Sequence, residues 1–177
     1  MERIRPVDPA DEPEEIRAVF DQLRRTRGRV PGMYRTLAHQ PEILAAHRAY
    51  FRAALDTGIL NRAFKEKIAY KVAQLRGSAY SSASHRRYAL QHGVEAGEID
   101  AIENSDYSLL DPSERAALIF AEEVVGTQGA VSDEVFNALA AHFSPAEVVE
   151  ISALVGIMEL ASTLGAIFDL VPDGDGD

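Results

Sequence analysis

Apolar residues recur at helical spacing along most of this chain, and no segment shows convincing alternation with a period of two. Ile16, Val19, Phe20 and Leu23 make one stripe and predict a first helix over about 13–27, closed by Gly28. Asp11 and Glu14 have capping-box spacing, with Pro13 at the first helical position. The stretch from Val30 to Pro41 reads as a turn-rich connection with a short helical piece. Pro41 opens a second helix with Ile43, Leu44, Phe51, Ala54 and Leu55 on its core side, ended by Gly58. Asn61 caps a third, with Phe64, Ile68, Val72 and Leu75 as its stripe, broken at Gly77. A fourth runs from about Ala79 to His92, and a fifth from Ala96 to Glu103. After a polar link, Asp111 to Glu114 has capping-box spacing and opens a helix through Leu118, Ala121, Val124 and Val125 to Gly126. Ser132 caps a seventh, carrying Val135, Phe136 and Leu139. Ser144 and Glu147 form another capping box ahead of a long apolar helix to about Asp169. The expected fold is all-α, a bundle of eight helices.

Length and composition narrow the class. A chain of 177 residues, 46% hydrophobic and 26% charged, suits one soluble domain with a substantial core. The expected division is an extended segment at 1–12, a single domain at 13–170 and a flexible acidic tail at 171–177. A net charge of −10 argues against nucleic acid and against an anionic membrane. Arg24, Arg25, Arg27 and Arg29 are a local exception, read first as a solvated helix end complementing the dipole, with an anion-binding role as the lesser alternative. The run from Val148 to Val171 is long enough to raise a membrane span, but Glu150, Glu159, Ser152, Ser162, Thr163 and Asp169 interrupt it. A buried core helix explains it better, with a subunit interface covering what a small bundle cannot. Glu150 and Glu159 are expected to find partners across that interface or to lie on an exposed strip. The first residues, Met1 to Pro6, have no apolar run of the secretory kind, so a cytoplasmic protein is expected.

The chain has no cysteine, which excludes disulfides, thiolate metal sites and thiol catalysis. His39, His47, His92 and His142 show no metal-ligand spacing with a carboxylate, and Asp173, Asp175 and Asp177 lack a full calcium-loop pattern. No metal or cofactor is expected. The richest gathering of proton carriers lies between Glu66 and His85. Ser78, Ser81 and His85 stand at i, i+3 and i+7 on the fourth helix and share one face. Glu66 sits one helix back, where close packing would bring it to the imidazole. Tyr80 and Tyr34 are candidates to line the same pocket. A bland explanation exists for each: serines cap helices, an inward histidine is satisfied in the core, and Glu66 is a charge favoured at a helix N-terminus.

The spacing resembles the carboxymuconolactone decarboxylase and alkylhydroperoxidase D (AhpD-like) superfamily. Its peroxidase branch carries a glutamate, a Cys-x-x-Cys pair twelve residues on, and a histidine four residues after the second cysteine. Glu66, Ser78, Ser81 and His85 keep that spacing with both sulfurs replaced by oxygens. Val30-Pro31-Gly32-Met33-Tyr34-Arg35-Thr36-Leu37 and Leu109-Asp111-Glu114-Arg115-Ala116-Ala117-Leu118 resemble other parts of the family, so the likeness covers about residues 30–165. Met158-Glu159 and Ser162-Thr163 depart from it, where relatives often carry an Asn and an Asn-Arg pair. The resemblance implies the helical fold, a homo-oligomer (trimer or hexamer) and a small-molecule substrate.

Peroxidase activity does not follow, because a serine forms neither a sulfenic acid nor a disulfide. Substitution on a cysteine parent and a natural branch without redox chemistry both fit the serines. The decarboxylase branch needs no cysteine pair, and the resemblance implies histidine-centred proton transfer there. His85 would be the acid, Glu66 its partner, and Ser78, Ser81 and the N–H groups opening the fourth helix the oxyanion or carboxylate donors. Ser81, His85 and Glu66 also have the makings of a nucleophile, base and orienter, but no flanking glycines mark a nucleophile elbow. A non-catalytic binding or assembly module is the remaining reading.

Overall fold

The computed structural model describes residues 2–172. Among them nine α-helices and no strand are present: α1 (Glu14–Arg27), α2 (Gly32–Leu37), α3 (Pro41–Phe51), α4 (Arg62–Leu75), α5 (Ala79–Gln91), α6 (Ala96–Glu103), α7 (Pro112–Gly126), α8 (Asp133–Ala140) and α9 (Pro145–Phe168). The ninth is α2, the short piece expected inside the Val30–Pro41 connection. The second helix does not run unbroken to Gly58. A π turn, Arg52–Asp56, follows α3, and the Thr57 N–H reaches back five residues to the Arg52 carbonyl at 3.0 Å.

α4 is the axis of the bundle. Every residue from Phe64 to Ala73 is buried, with α5, α7 and α9 packed around it. The main core joins Leu55, Ile68 and Val72 to Leu118, Ile151 and Leu154. A smaller core holds Phe20 and Leu23 of α1 against Met33, Tyr34, Leu44 and Tyr80. Each fully buried side chain of this size contributes roughly 1.5–3 kcal/mol by leaving water. Ile43 and Leu75, expected inside, are 53% and 40% exposed because each lies on the outer side of its helix. Phe136 is likewise exposed at 45%.

The caps explain the boundaries. Asn61, Ser132 and Ser144 accept bonds from Phe64, Val135 and Glu147 N–H groups, as their sequence positions foretell. Two expected boxes do not form: Pro13 occupies the N-cap of α1, and Asp111 at α7 makes no side-chain cap bond. Glu114, its expected partner, binds Lys67 instead at 2.7 Å. An unforeseen box joins Glu95 and Glu98 at α6. Gly58 has φ +105°, a conformation L side chains rarely adopt, and a Cβ there would press on the Glu150 carboxylate.

α9 is long and apolar enough to cross a membrane by length and composition, yet it is a core helix here. Ile151, Leu154, Ile157 and Met158 are fully buried, while Val149, Leu160 and Ile167 face outward. Cover within this chain is therefore one-sided. Glu150 pairs inside the chain, with Lys65 at 2.6 Å, rather than across an interface. The N-terminal segment carries no regular structure but is tied down: Val7 N–H bonds to the Arg35 carbonyl, and Arg3 N–H to that of Phe168. Asp173, Asp175 and Asp177 of the expected tail lie outside the described residues.

Candidate active site

A tight helix–helix turn brings Glu66 to His85. At the end of α4, Gly77 takes φ +62°. Its N–H bonds to the Gln74 carbonyl, while Ser78 N–H bonds to that of Ala73. This six-to-one, five-to-two closure reverses the chain. Ser78 then caps α5, its Oγ accepting the Ser81 N–H at 3.3 Å. α5 returns along α4, and His85 Nδ1 lies 2.6 Å from Glu66 Oε2.

Glu66 is fully buried, not a solvated charge at a helix start. Arg62, one turn earlier, binds its other oxygen through Nε at 2.7 Å and Nη2 at 2.6 Å. Burial pushes the Glu66 carboxyl up, but the His85 and Arg62 charges and hydrogen bonds outweigh it and hold it below the ordinary carboxylate range. Glu66 is thus a carboxylate at neutral pH and accepts, so Nδ1 of His85 donates. Nε2 is the nitrogen left for other chemistry.

His85 forms part of the wall of a chamber at the seam between the two cores, with a volume of about 40 Å³. That is room for about one water. Arg27, Tyr34, His47, Phe51, Tyr80 and Ser81 also line it. His47, Phe51 and His85 form a stacked series, with ring centroids 5.9 and 6.3 Å apart. Burial, and then Arg48, pushes His47 down to about 4, so it is neutral at pH 7. Burial raises the Tyr34 phenol against the pull of Arg27 and Arg48, so it keeps its proton. Tyr34 Oη and both His47 nitrogens are buried without hydrogen-bond partners. Tyr80 Oη accepts the Met33 N–H at 3.1 Å.

Sequence and geometry part at several residues. Ser78 is the helix cap and does not line the chamber; Ser81 and Ser84 do. The Ser81 N–H is spent on Ser78, and among the described residues no hydrogen bond joins Ser81 to His85. Arg27, assigned to a solvated helix end, has a side chain only 7% exposed and pairs with Asp56 at 2.9 Å. Its guanidinium sits 5.0 Å from the Phe51 ring centroid and 5.3 Å from that of Tyr88. Arg62 was legible as an i, i+4 partner of Glu66, and His47 as the polar member of the face carrying Leu44 and Phe51. Arg27 had no such signal. Among the described residues no three His, Asp or Glu gather in a way that would hold a metal.

Residues 41–123 match the carboxymuconolactone decarboxylase family. Both members of the Glu66–His85 pair fall inside that segment. The solved structures extend the likeness to nearly the whole chain. An uncharacterised peroxidase-related protein from Ralstonia eutropha JMP134, described as an alkylhydroperoxidase AhpD core, has a TM-score of 0.88 at 23% identity over 98% of this chain and 93% of its own. A similar peroxidase-related protein from Silicibacter sp. TM1040 gives 0.86 at 20% identity, over 98% and 91%. A cysteine-to-alanine variant of the debrominase Bmp8, in complex with 2,3,4-tribromopyrrole, gives 0.87 at 21% identity, over 98% and 93%. At these identities the likeness is one of fold: an AhpD-like helical fold carrying a carboxymuconolactone decarboxylase family segment. No curated protein matches the chain.

Proposed function

We propose that the protein is a cofactor-free proton-transfer enzyme, a decarboxylase, lyase or isomerase of a small carboxylate or lactone, with His85 as acid–base and Glu66 as its partner. The observation that carries this reading is the 2.6 Å contact between a buried, ionised Glu66 and His85 on a chamber wall. In a decarboxylation the bond to the carboxylate carbon breaks and carbon dioxide leaves. The electron pair passes onto a conjugated carbonyl, and protonated His85 delivers a proton from Nε2 to the carbon. The neutral imidazole is recharged from solvent, and Glu66 stabilises the cation between turnovers. Ser81 and Ser84 are the hydroxyls placed to steady the oxyanion; Ser78 is left as a cap.

A chamber of about 40 Å³ is too small for a lactone. Turnover on this reading therefore requires the α1–α2 side of the chamber to move outward. A cytoplasmic homo-oligomer, joined through the outward apolar face of α9, belongs to the same reading. Light scattering tests it: a monomer removes the oligomer and leaves the chemistry.

The decisive assay incubates the protein with a panel of small lactone carboxylates, carboxymuconolactone among them, in deuterated water. Release of carbon dioxide or uptake of deuterium at carbon is expected. His85→Ala should lower it by about 100- to 10,000-fold. Equal rates in a folded His85→Ala protein reject the reading.

The peroxidase-related neighbours favour a second reading: an alkylhydroperoxidase D-type scaffold whose catalytic cysteines are serines, inactive as a thiol peroxidase. Ser78→Cys with Ser81→Cys tests it. Formation of a disulfide with hydroperoxide consumption supports that reading, and a disulfide without consumption ends it. A pocket that binds small molecules with no turnover at all would leave the assembly-module reading standing.

A further inference from the structure

A larger groove shares Arg27 with the chamber but is not lined by His85, and proton transfer at that imidazole does not use it. Its volume is about 600 Å³, within the usual range of small-ligand sites. Arg27 from the end of α1, Arg48 from α3, Arg52 from the π turn and Arg62 from α4 line it, and Asp56 is its one lining carboxylate. We propose that this groove binds a small oxyanion, a carboxylate or a phosphate, adjoining the histidine chamber. The proposal stands on the groove alone and holds whether or not His85 turns over any substrate.

The charge balance is the first argument. Arg27 Nη2, Arg48 Nη1 and Arg62 Nη1 all converge on Asp56, at 2.9, 2.7 and 2.6 Å. Arg62 is shared with Glu66, and Arg52 is exposed and makes no ion pair among the described residues. Four guanidiniums thus face two carboxylates, in a chain whose net charge is −10. Crowded like charges at partial burial repel strongly, and one arginine would have sufficed to neutralise Asp56. An anion supplied from solution restores the balance.

Donor geometry is the second. A guanidinium carries five N–H groups in a rigid fork suited to planar carboxylates and to phosphate. Arg48 has a side chain 10% exposed, yet its Nε is buried with no partner. Arg27 is held between the Phe51 and Tyr88 rings, which fixes its plane before any ligand arrives. Preorganised donors lose little freedom on binding. The π turn that carries Arg52 and Asp56 is the kind of helix irregularity often found at ligand sites.

Arg27 lines both cavities. An anion in the groove would therefore share the Arg27 side chain with the chamber.

Calorimetry and thermal melting of the full chain test this with two probes, succinate and inorganic phosphate, each against sodium chloride at matched ionic strength. Saturable binding and a rise in Tm beyond the salt control are expected for at least one probe, and the arm that responds names the source of the oxyanion. Arg52→Glu, at an exposed position, should weaken that binding at least tenfold. Asp56→Asn removes the internal competitor and should tighten it several-fold, with a melting temperature more dependent on the anion than the wild type's. If Asp56→Asn does not fold, Arg52→Glu alone carries the test. His85→Ala should bind as the wild type does, so failure of the groove and failure of the chemistry are read separately. No response to either probe, or binding untouched by Arg52→Glu, overturns the proposal.

Discussion

Two sets of buried charge lie on α4, and they are built on opposite plans. Lys65, Lys67 and Lys71 each reach a different neighbour: Glu150 of α9 at 2.6 Å, Glu98 of α6 and Glu114 of α7 at 2.6 and 2.7 Å, and Glu122 of α7 at 2.9 Å. Each is a cation paired with at least one carboxylate, Lys65 and Lys71 also meeting a backbone carbonyl, and none of the three lysines lines the chamber or the groove. Glu66 is the reverse. It is one anion held between an imidazole and a guanidinium, with His85 leading to the chamber and Arg62 leading to Asp56 and the groove. Closed pairs tether the bundle; the open network presents a polarised imidazole and surplus guanidiniums to two cavities. Burial of charge alone therefore does not mark a site. What marks it is a charge network that ends at a cavity.

Breaking a closed pair should cost stability and leave proton transfer per folded molecule unchanged. The largest such effect is expected at Lys65, whose side chain is 2% exposed against a Glu150 that is 10% exposed. Lys65→Met strands that carboxylate and should cost about 3–5 kcal/mol. Urea melts measure this directly, and a loss below 1 kcal/mol would show that the tether is idle.

Acid titration gives the next effect, at His47. An unfolded imidazole takes its proton near 6.5, whereas the folded one waits until about 4. In that window the unfolded chain binds more protons, so stability falls as pH is lowered through it, by roughly 3 kcal/mol in all. His47→Phe should flatten this slope. Glu66 and Asp56, both held below the ordinary carboxylate range, act at lower pH. Their contribution is intact above that range and is lost as pH falls through their lowered folded values.

Gly58→Ala attacks the Lys65–Glu150 tether from its other side, since the new Cβ would strike Glu150 at a positive φ. The expected loss is about 1–3 kcal/mol, with Lys65→Met and Gly58→Ala less than additive. Ser78→Ala should be the mildest: about 1 kcal/mol for the lost cap of α5, and no change in proton transfer. A large kinetic defect there would return Ser78 to the site.

Much of this arrangement was legible in the chain. Helical periodicity, Asn61, Ser132 and Ser144 caps and the glycines after α4 and α5 set the bundle, because these signals are local. The Glu66-to-His85 spacing brought its two ends together for the same reason: one tight turn separates them. The lysine tethers and the Arg27–Asp56 contact were not legible, since each joins residues distant in sequence through packing alone. Arg27 looked like any cation at a helix end. Glu114 looked like a cap, but Lys67 offered a buried charge that a backbone N–H could not match.

Ionised Glu66 holds His85 by Nδ1 and leaves Nε2 for the chamber. Nitrogen NMR of the imidazole at neutral pH, in wild type and Glu66→Gln, tests this most directly, with His85→Ala assigning the signal. The expected result is a strongly hydrogen-bonded, slowly exchanging Nδ1 proton in the wild type that weakens and exchanges freely in Glu66→Gln. An imidazole protonated only at Nε2, or one unchanged by Glu66→Gln, would contradict it.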